Sequence, residues 1–280
     1  MFLFEPLQYE FFVNGLLVST IVGALTGLIG VYIVLRKMSY IGHGLAHSVF
    51  GGAVVSYVLN INFYLGAGVW GFLSALLINQ ISKKGKVGSD AAIGIVTTAS
   101  FAIGVALISR VRHFTRNFEA ALFGNILGVT REDVLVIIGT TLFVLFVLFF
   151  IYKRLLFTTY NREIAKAFGI NVDAIDTLFS LILAATIIAS IQVMGVTLIA
   201  ATVVIPSSIA RLLTNNFNKM IVLSTFIGAL CGFIGMYISF YIDVASGATI
   251  VILEAVIFGM IALYKESNIS LRVKSQKLKV

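Results

Sequence analysis

RKMSYIGHGLAHSVFGG, residues 36–52, opens on two cations, Arg36 and Lys37, that belong in water, and runs on as glycine, alanine and apolar side chains interrupted by two histidines. With Lys37 at the water interface, a rise of about 1.5 Å per residue places His43 and His47 roughly 9 to 15 Å deep, near the middle of a bilayer. Four residues apart, they lie one above the other on a single helix face. Two imidazoles so spaced can share a divalent cation, as in helical zinc sites. The competing reading is a pair hydrogen-bonded between helices for packing alone. Polar groups at that depth are costly and mark a pathway or site, and a pair favours the metal. Gly42, Gly44 and Ala46 keep the surrounding helix surface small, which would let a second copy of the chain bring its own pair close.

The sequence on either side reads as membrane throughout. Of 280 residues, 59% are hydrophobic and 11% charged, against about 25% charged in a soluble domain, and the mean hydropathy is +1.05. The expected fold is an all-α polytopic integral membrane protein, one transmembrane domain over residues 1–280. The single cysteine, Cys231, excludes a disulfide framework and a thiolate metal site, and MFLFEPLQYE lacks the positive region of a signal peptide. Apolar segments of spanning length fall near 11–35, 38–59, 63–81, 91–109, 133–152, 173–191, 195–213, 220–241 and 247–264. The boundary at Gln192–Gly195 is the weakest and Pro206 is expected to kink the segment after it, so eight or nine crossings are predicted. With nine crossings and the N-terminus outside, 16 of the 20 Lys and Arg fall on the inner side, including a short basic tail over 265–280. That is the asymmetry of the positive-inside rule, and it accounts for the net charge of +8 without a nucleic-acid partner.

Between the spans, the inner loop from about Lys153 to Asp173 contains a predicted surface helix over 161–168, capped by Asn161, with an apolar face of Ile164, Ala165 and Phe168 and a stop at Gly169. It is either a docking element or an interfacial helix. No GxxxxGK[ST] loop is present and no internal repeat is evident, so ATP hydrolysis, if transport needs it, belongs to another polypeptide. Glu254, inside the last apolar segment, must face a polar cavity, find a partner or be protonated. A structural hydrogen bond is the preferred reading, and a second metal ligand or gate the alternative. Asp243 reads as a helix cap, and His113 as a loop residue rather than an entry ligand. Gly23/Gly27 and Gly228/Gly232 are generic small-residue packing motifs.

Six stretches in order resemble one family: LRKMSYIGHGLAHSVFGG at 35–52, SDAAIGIVTTASFAIGVALIS at 89–109, LFGNILGV at 122–129, NREIAKAFGI at 161–170, LIAATVVIPSSIARLL at 198–213 and SGATIV at 246–251. Together they span almost the whole chain, which is similar to the permease subunits of bacterial ABC importers for zinc, manganese or iron(II). The resemblance implies a homodimer of permeases on a dimer of cytoplasmic ATPases that bind ATP, an extracytoplasmic metal-binding protein, a bacterial inner-membrane location with a cytoplasmic C-terminus, and no catalysis or resident cofactor in this chain. It implies a coupling helix near 161–170, with Arg162, Glu163, Ala165, Lys166, Phe168 and Gly169 meeting the ATPase. His47 matches a family ligand, while His43 stands where an Asp is usual. Exchanging a carboxylate for imidazole tilts the donor set modestly toward zinc, which leaves zinc and manganese nearly level and iron(II) behind. The rivals are an ATPase-independent metal transporter or channel, and a membrane metalloenzyme using the same histidines.

Overall fold

The computed structural model describes residues 4–83, 88–110, 122, 124 and 128–277, and among them the regular structure is helical. After a short 3₁₀ turn at Pro6–Gln8 come α1 (Glu10–Leu35), α2 (Ser39–Val58), α3 (Phe63–Lys83), α4 (Ser89–Arg110), α5 (Arg131–Tyr160), α6 (Arg162–Ala167), α7 (Val172–Met194), α8 (Ile199–Leu213), α9 (Phe217–Ile242) and α10 (Ser246–Lys277). Each of the nine apolar segments is a helix. Seven of these, α1, α3, α4, α5, α7, α9 and α10, are long and apolar enough to cross a membrane. The 20-residue α2 has the length, but His43, His47 and three serines dilute its apolarity. With 15 residues, α8 reaches about 22 Å, short of a hydrocarbon core of about 30 Å. The doubtful boundary is a true break: α7 runs to Met194 and Gly195 ends it at φ 75°, a conformation glycine takes without strain. Pro206 stays inside α8.

Two helices run further than the apolar windows. The inner loop expected from Lys153 is helical to Tyr160, because Ile151, Leu155 and Thr158 keep a buried face while Lys153 and Arg154 stay solvated. The stretch expected as a basic tail from 265 is helical to Lys277. Helix ends are tied off locally. The Thr130 side chain and Asp133 form a capping box at α5, the side chains of Asn161, Asn171 and Asn216 cap α6, α7 and α9, and Asp243 closes α9 in the left-handed region.

Two helices form the centre. α1 is packed by α9, α8, α5 and α7, and α2 by α4, α3, α7 and α8. The α1–α9 seam explains the small-residue motifs. Ser19, Gly23 and Gly27 face Gly232, Gly228 and Ser224 in one antiparallel register, so a Cβ on Gly23 would run into the Gly228 carbonyl and one on Gly27 into that of Ser224. Backbones this close let hydroxyls cross the seam: Ser224 Oγ donates to the Gly27 carbonyl (2.6 Å) and Ser19 Oγ to that of Gly232 (3.1 Å). The motifs read as generic are each other's partners.

Candidate metal site and its supports

The site is built on α2, whose residues from Ile41 to Val54 are buried except for the half-buried His43 and His47. Gly44 seats α2 against Ile93 and Thr97 of α4, and Gly51 meets the Ser100 carbonyl and Gly104 lower on the same seam. Gly52 takes Gly66 and Trp70 of α3. Gly44 and the fully buried Ala46 are therefore spent on contacts within the chain, not kept free for a second copy. Among the α2 glycines, Gly42 alone has open space where a Cβ would stand.

On the remaining face the two imidazoles meet. Their Nε2 atoms lie 3.2 Å apart, with ring centroids at 4.5 Å and planes at 83°. The edge of His47 rests on Phe101 (5.0 Å) and His43 lies beside the exposed Tyr40 (5.7 Å). His47 Nδ1 is buried without a hydrogen-bond partner among the described residues. Two nitrogens bound at about 2.05 Å to one tetrahedral ion stand ~3.3 Å apart, so the observed separation suits two ligands of one cation. It equally suits a single N–H···N hydrogen bond, with one ring donating and the other accepting.

Glu254 is elsewhere. It is fully buried, and neither carboxyl oxygen has a hydrogen-bond partner among the described residues. The preferred structural hydrogen bond is thus not made to any of them. In the α9–α10 seam Ser239 Oγ bonds Ser246 Oγ (2.8 Å) and Gly235 meets Ile250, a register that sets Cys231 opposite Glu254. Among the described residues no three His, Cys, Asp or Glu side chains come together as a metal group, so Glu254 does not complete the histidine pair within one chain. His113, Arg112 and Arg116 lie outside the described residues.

The predicted surface helix is α6. Asn161 Oδ1 accepts from the backbone N–H of Glu163 and Ile164 (both 3.0 Å), and Gly169, at φ 75°, follows its end. Its apolar face divides. Ile164 and Phe168 are 48% and 74% exposed, whereas Ala165 is fully buried and turned into the protein, away from any partner. Arg162, Glu163, Lys166 and Gly169 are exposed.

Sequence reasoning assigned Arg36 to water, and it is not there. Its side chain is 7% exposed, its Nη1 donates to Asp176 Oδ1 at 2.8 Å, and Arg162 Nη2 donates to the other Asp176 oxygen. Burial lowers the Arg36 pKa from its ordinary value, against the upward pull of Asp176, and the group stays charged. Lys37 alone is the exposed cation of the pair. A second missed contact joins α3 to α5, where Tyr64 Oη donates to Asp133 Oδ1 at 2.6 Å. The signal for both was an Asp inside the first turns of an apolar segment.

Comparison with known proteins places the chain in a family. The family model described as "ABC 3 transport family" matches residues 8–265. The chain is 36% identical over 256 residues to the manganese transport system membrane protein MntC of Halalkalibacterium halodurans, covering 91% of this chain and 88% of that protein. A probable iron transport system membrane protein of Haemophilus influenzae is 35% identical over 259 residues, covering 91% and 90%. Among solved structures, PsaBC from Streptococcus pneumoniae in complex with Fab superposes with a TM-score of 0.83 at 33% identity, over 92% of this chain and 93% of that one. With the family match running over residues 8–265, and relatives aligned over about nine-tenths of both chains, this protein belongs to the ABC 3 transport family as a membrane permease subunit, ATP hydrolysis being the work of a separate ATPase.

Proposed function

We propose that the chain is the permease through which a divalent transition metal, manganese, enters a bacterial cell, the ion passing between two copies of the chain along His43 and His47 of each. The observation that carries this reading is the histidine pair, two half-buried imidazoles converging at 3.2 Å on the one face of α2 the fold leaves open. Two ligands per chain do not saturate an ion, and a second pair from a partner copy would complete four-coordination. Sharing ligands across a seam that opens also provides a way to release the ion.

α2 and α8 complete the membrane domain in this reading, giving eight or nine crossings, with the Arg36 end of the bundle and the C-terminus in the cytoplasm. Exposed Ile164 and Phe168 on the capped α6 dock against a dimeric ATPase, and an extracytoplasmic binding protein delivers the ion. Manganese takes precedence because it names the cargo of relatives such as MntC. Zinc is the second reading, favoured by the all-imidazole donor set. Iron(II) follows, named for other relatives.

The test is ATP hydrolysis by the assembled transporter with its binding protein, compared across manganese, zinc and iron(II). Stimulation by manganese above the other two is the expected result. Stimulation by zinc alone transfers the cargo to the second reading, and metal uptake that persists without the ATPase would favour a channel.

A further inference from the structure

The end of the bundle that carries α6 holds a charge cluster to which the transport path has so far assigned no role. Asp176, in the first turns of α7 and 8% exposed, divides its carboxylate between two arginines, Oδ1 to Arg36 and Oδ2 to Arg162. The two arms differ in kind. The Arg36 side chain is 7% exposed and tied by each of its three nitrogens: Nε donates to Thr159 Oγ1 (3.0 Å), Nη2 to Thr158 Oγ1 (2.7 Å), Nη1 to Asp176, and its guanidinium carbon stands 4.8 Å from the Phe179 ring centre. It pins the end of α1 to α5 and α7. The Arg162 side chain is 60% exposed and belongs to the six-residue α6, which rests on α5 and more lightly on α7.

A cavity of about 800 Å³ opens beside this cluster. Its lining includes Arg162 and Lys166 of α6, Lys37, Met38 and Ile41 of the α1–α2 corner, and Arg36 and Asp176 themselves. With its arginine 60% exposed, the Arg162 arm is a weak, solvent-screened tie that can open. The Arg36 arm cannot open cheaply, since that would strand a buried cation. Beyond Arg36 there is little slack. Lys37 sits at φ 56°, Met38 N–H bonds the Ile33 carbonyl (3.0 Å), and α2 starts at Ser39, one turn before His43.

We propose that Asp176 is a positioning residue that latches α6 to the α1–α2 corner and so couples the docking helix to the helix bearing the metal ligands. Closed, one carboxylate holds both arginines, and α6 and the corner move as a unit. When α6 is drawn away, Arg162 swings into the cavity while Arg36 keeps its partner, and the corner with α2 shifts independently of α6. The latch is thus a two-state element biased by the position of α6. This rests on the permease reading above, in which α6 meets an ATPase.

The test is the ratio of metal taken up to ATP hydrolysed, measured in proteoliposomes on the full transporter for wild type, Arg162→Met, Arg162→Lys, Asp176→Asn and the Arg162→Met/Asp176→Asn pair. Co-purification with the ATPase serves as the check on assembly. Arg162→Met leaves the buried arm intact, so it remains informative if Asp176→Asn fails to assemble. The expected result is a ratio lowered about fivefold or more by either single change, no further loss in the double variant, and retention in Arg162→Lys. An unchanged ratio in Arg162→Met, or losses that multiply in the double variant, would overturn the latch. A wild-type transporter whose uptake does not depend on ATP would instead remove the permease reading, and the latch with it.

Discussion

His43 and His47 present their Nε2 atoms 3.2 Å apart, while His47 Nδ1 is buried with no hydrogen-bond partner among the described residues. The pair is thus oriented by packing on Phe101 and by its own helix, with little polar support behind it. Removing a ligand should cost at least what loss of an outer-shell partner costs, so His47→Ala is expected to lower metal uptake about 10–100-fold, read as initial uptake by the assembled transporter. His43→Asp introduces the carboxylate that the family resemblance implies for this position. It should preserve transport and raise manganese over zinc in a competition assay, because carboxylate oxygen suits manganese better than imidazole does. Ligating imidazole must be neutral, so protons compete with the metal. Uptake is expected to fall as the pH is lowered, and a pH profile of His43→Asp should show a weaker fall. The histidine pair was legible in the sequence because its spacing is local. The burial of Arg36 was not, because its partner Asp176 lies 140 positions away and only the fold brings them together.

At the scale of elements, the nine apolar segments and the capped α6 were readable from composition and short-range signals. Each apolar run is long enough to dominate its own conformation, and Asn161 stands directly before the turn it caps. The extension of α5 was not readable from hydropathy, since there the helix continues as a half-solvated one, and that of α10 runs on into a basic stretch. Nor does a GxxxG motif name its partner, and the α1–α9 register emerges only in three dimensions. That seam has no room for side chains. Gly228→Leu should cost about 1–3 kcal/mol or more by overpacking, lowering the thermal stability of the purified chain. Gly139→Ala, at an exposed α5 position with open space, should instead stabilise by less than about 1 kcal/mol. In α6, Asn161→Ala removes a cap worth about 1 kcal/mol. In a helix of only six residues, that loss should show as weaker retention of the ATPase on co-purification, with the chain itself still folded.

The molecule as a whole is a helix bundle centred on α1 and α2, with an open histidine face on α2 and an exposed α6 at the Arg36 end. The small-residue seams hold helices at fixed separations, so movement passes through the bundle as rigid shifts and not as soft deformation. The apolar surface on α5 and α10, where Phe146, Phe149, Phe150 and Leu263 lie more than half exposed, is what a lipid-facing wall requires. Membrane character and family were visible over almost the entire chain. The Asp176 contacts that join α6 to the α1–α2 corner were not, because they link residues distant in sequence. The most direct test of the central claim is ATP-driven manganese uptake into proteoliposomes by the transporter carrying His43→Ala and His47→Ala together, with ATPase co-purification confirmed. The account predicts that uptake is abolished while assembly is intact, and uptake at the wild-type rate would contradict it.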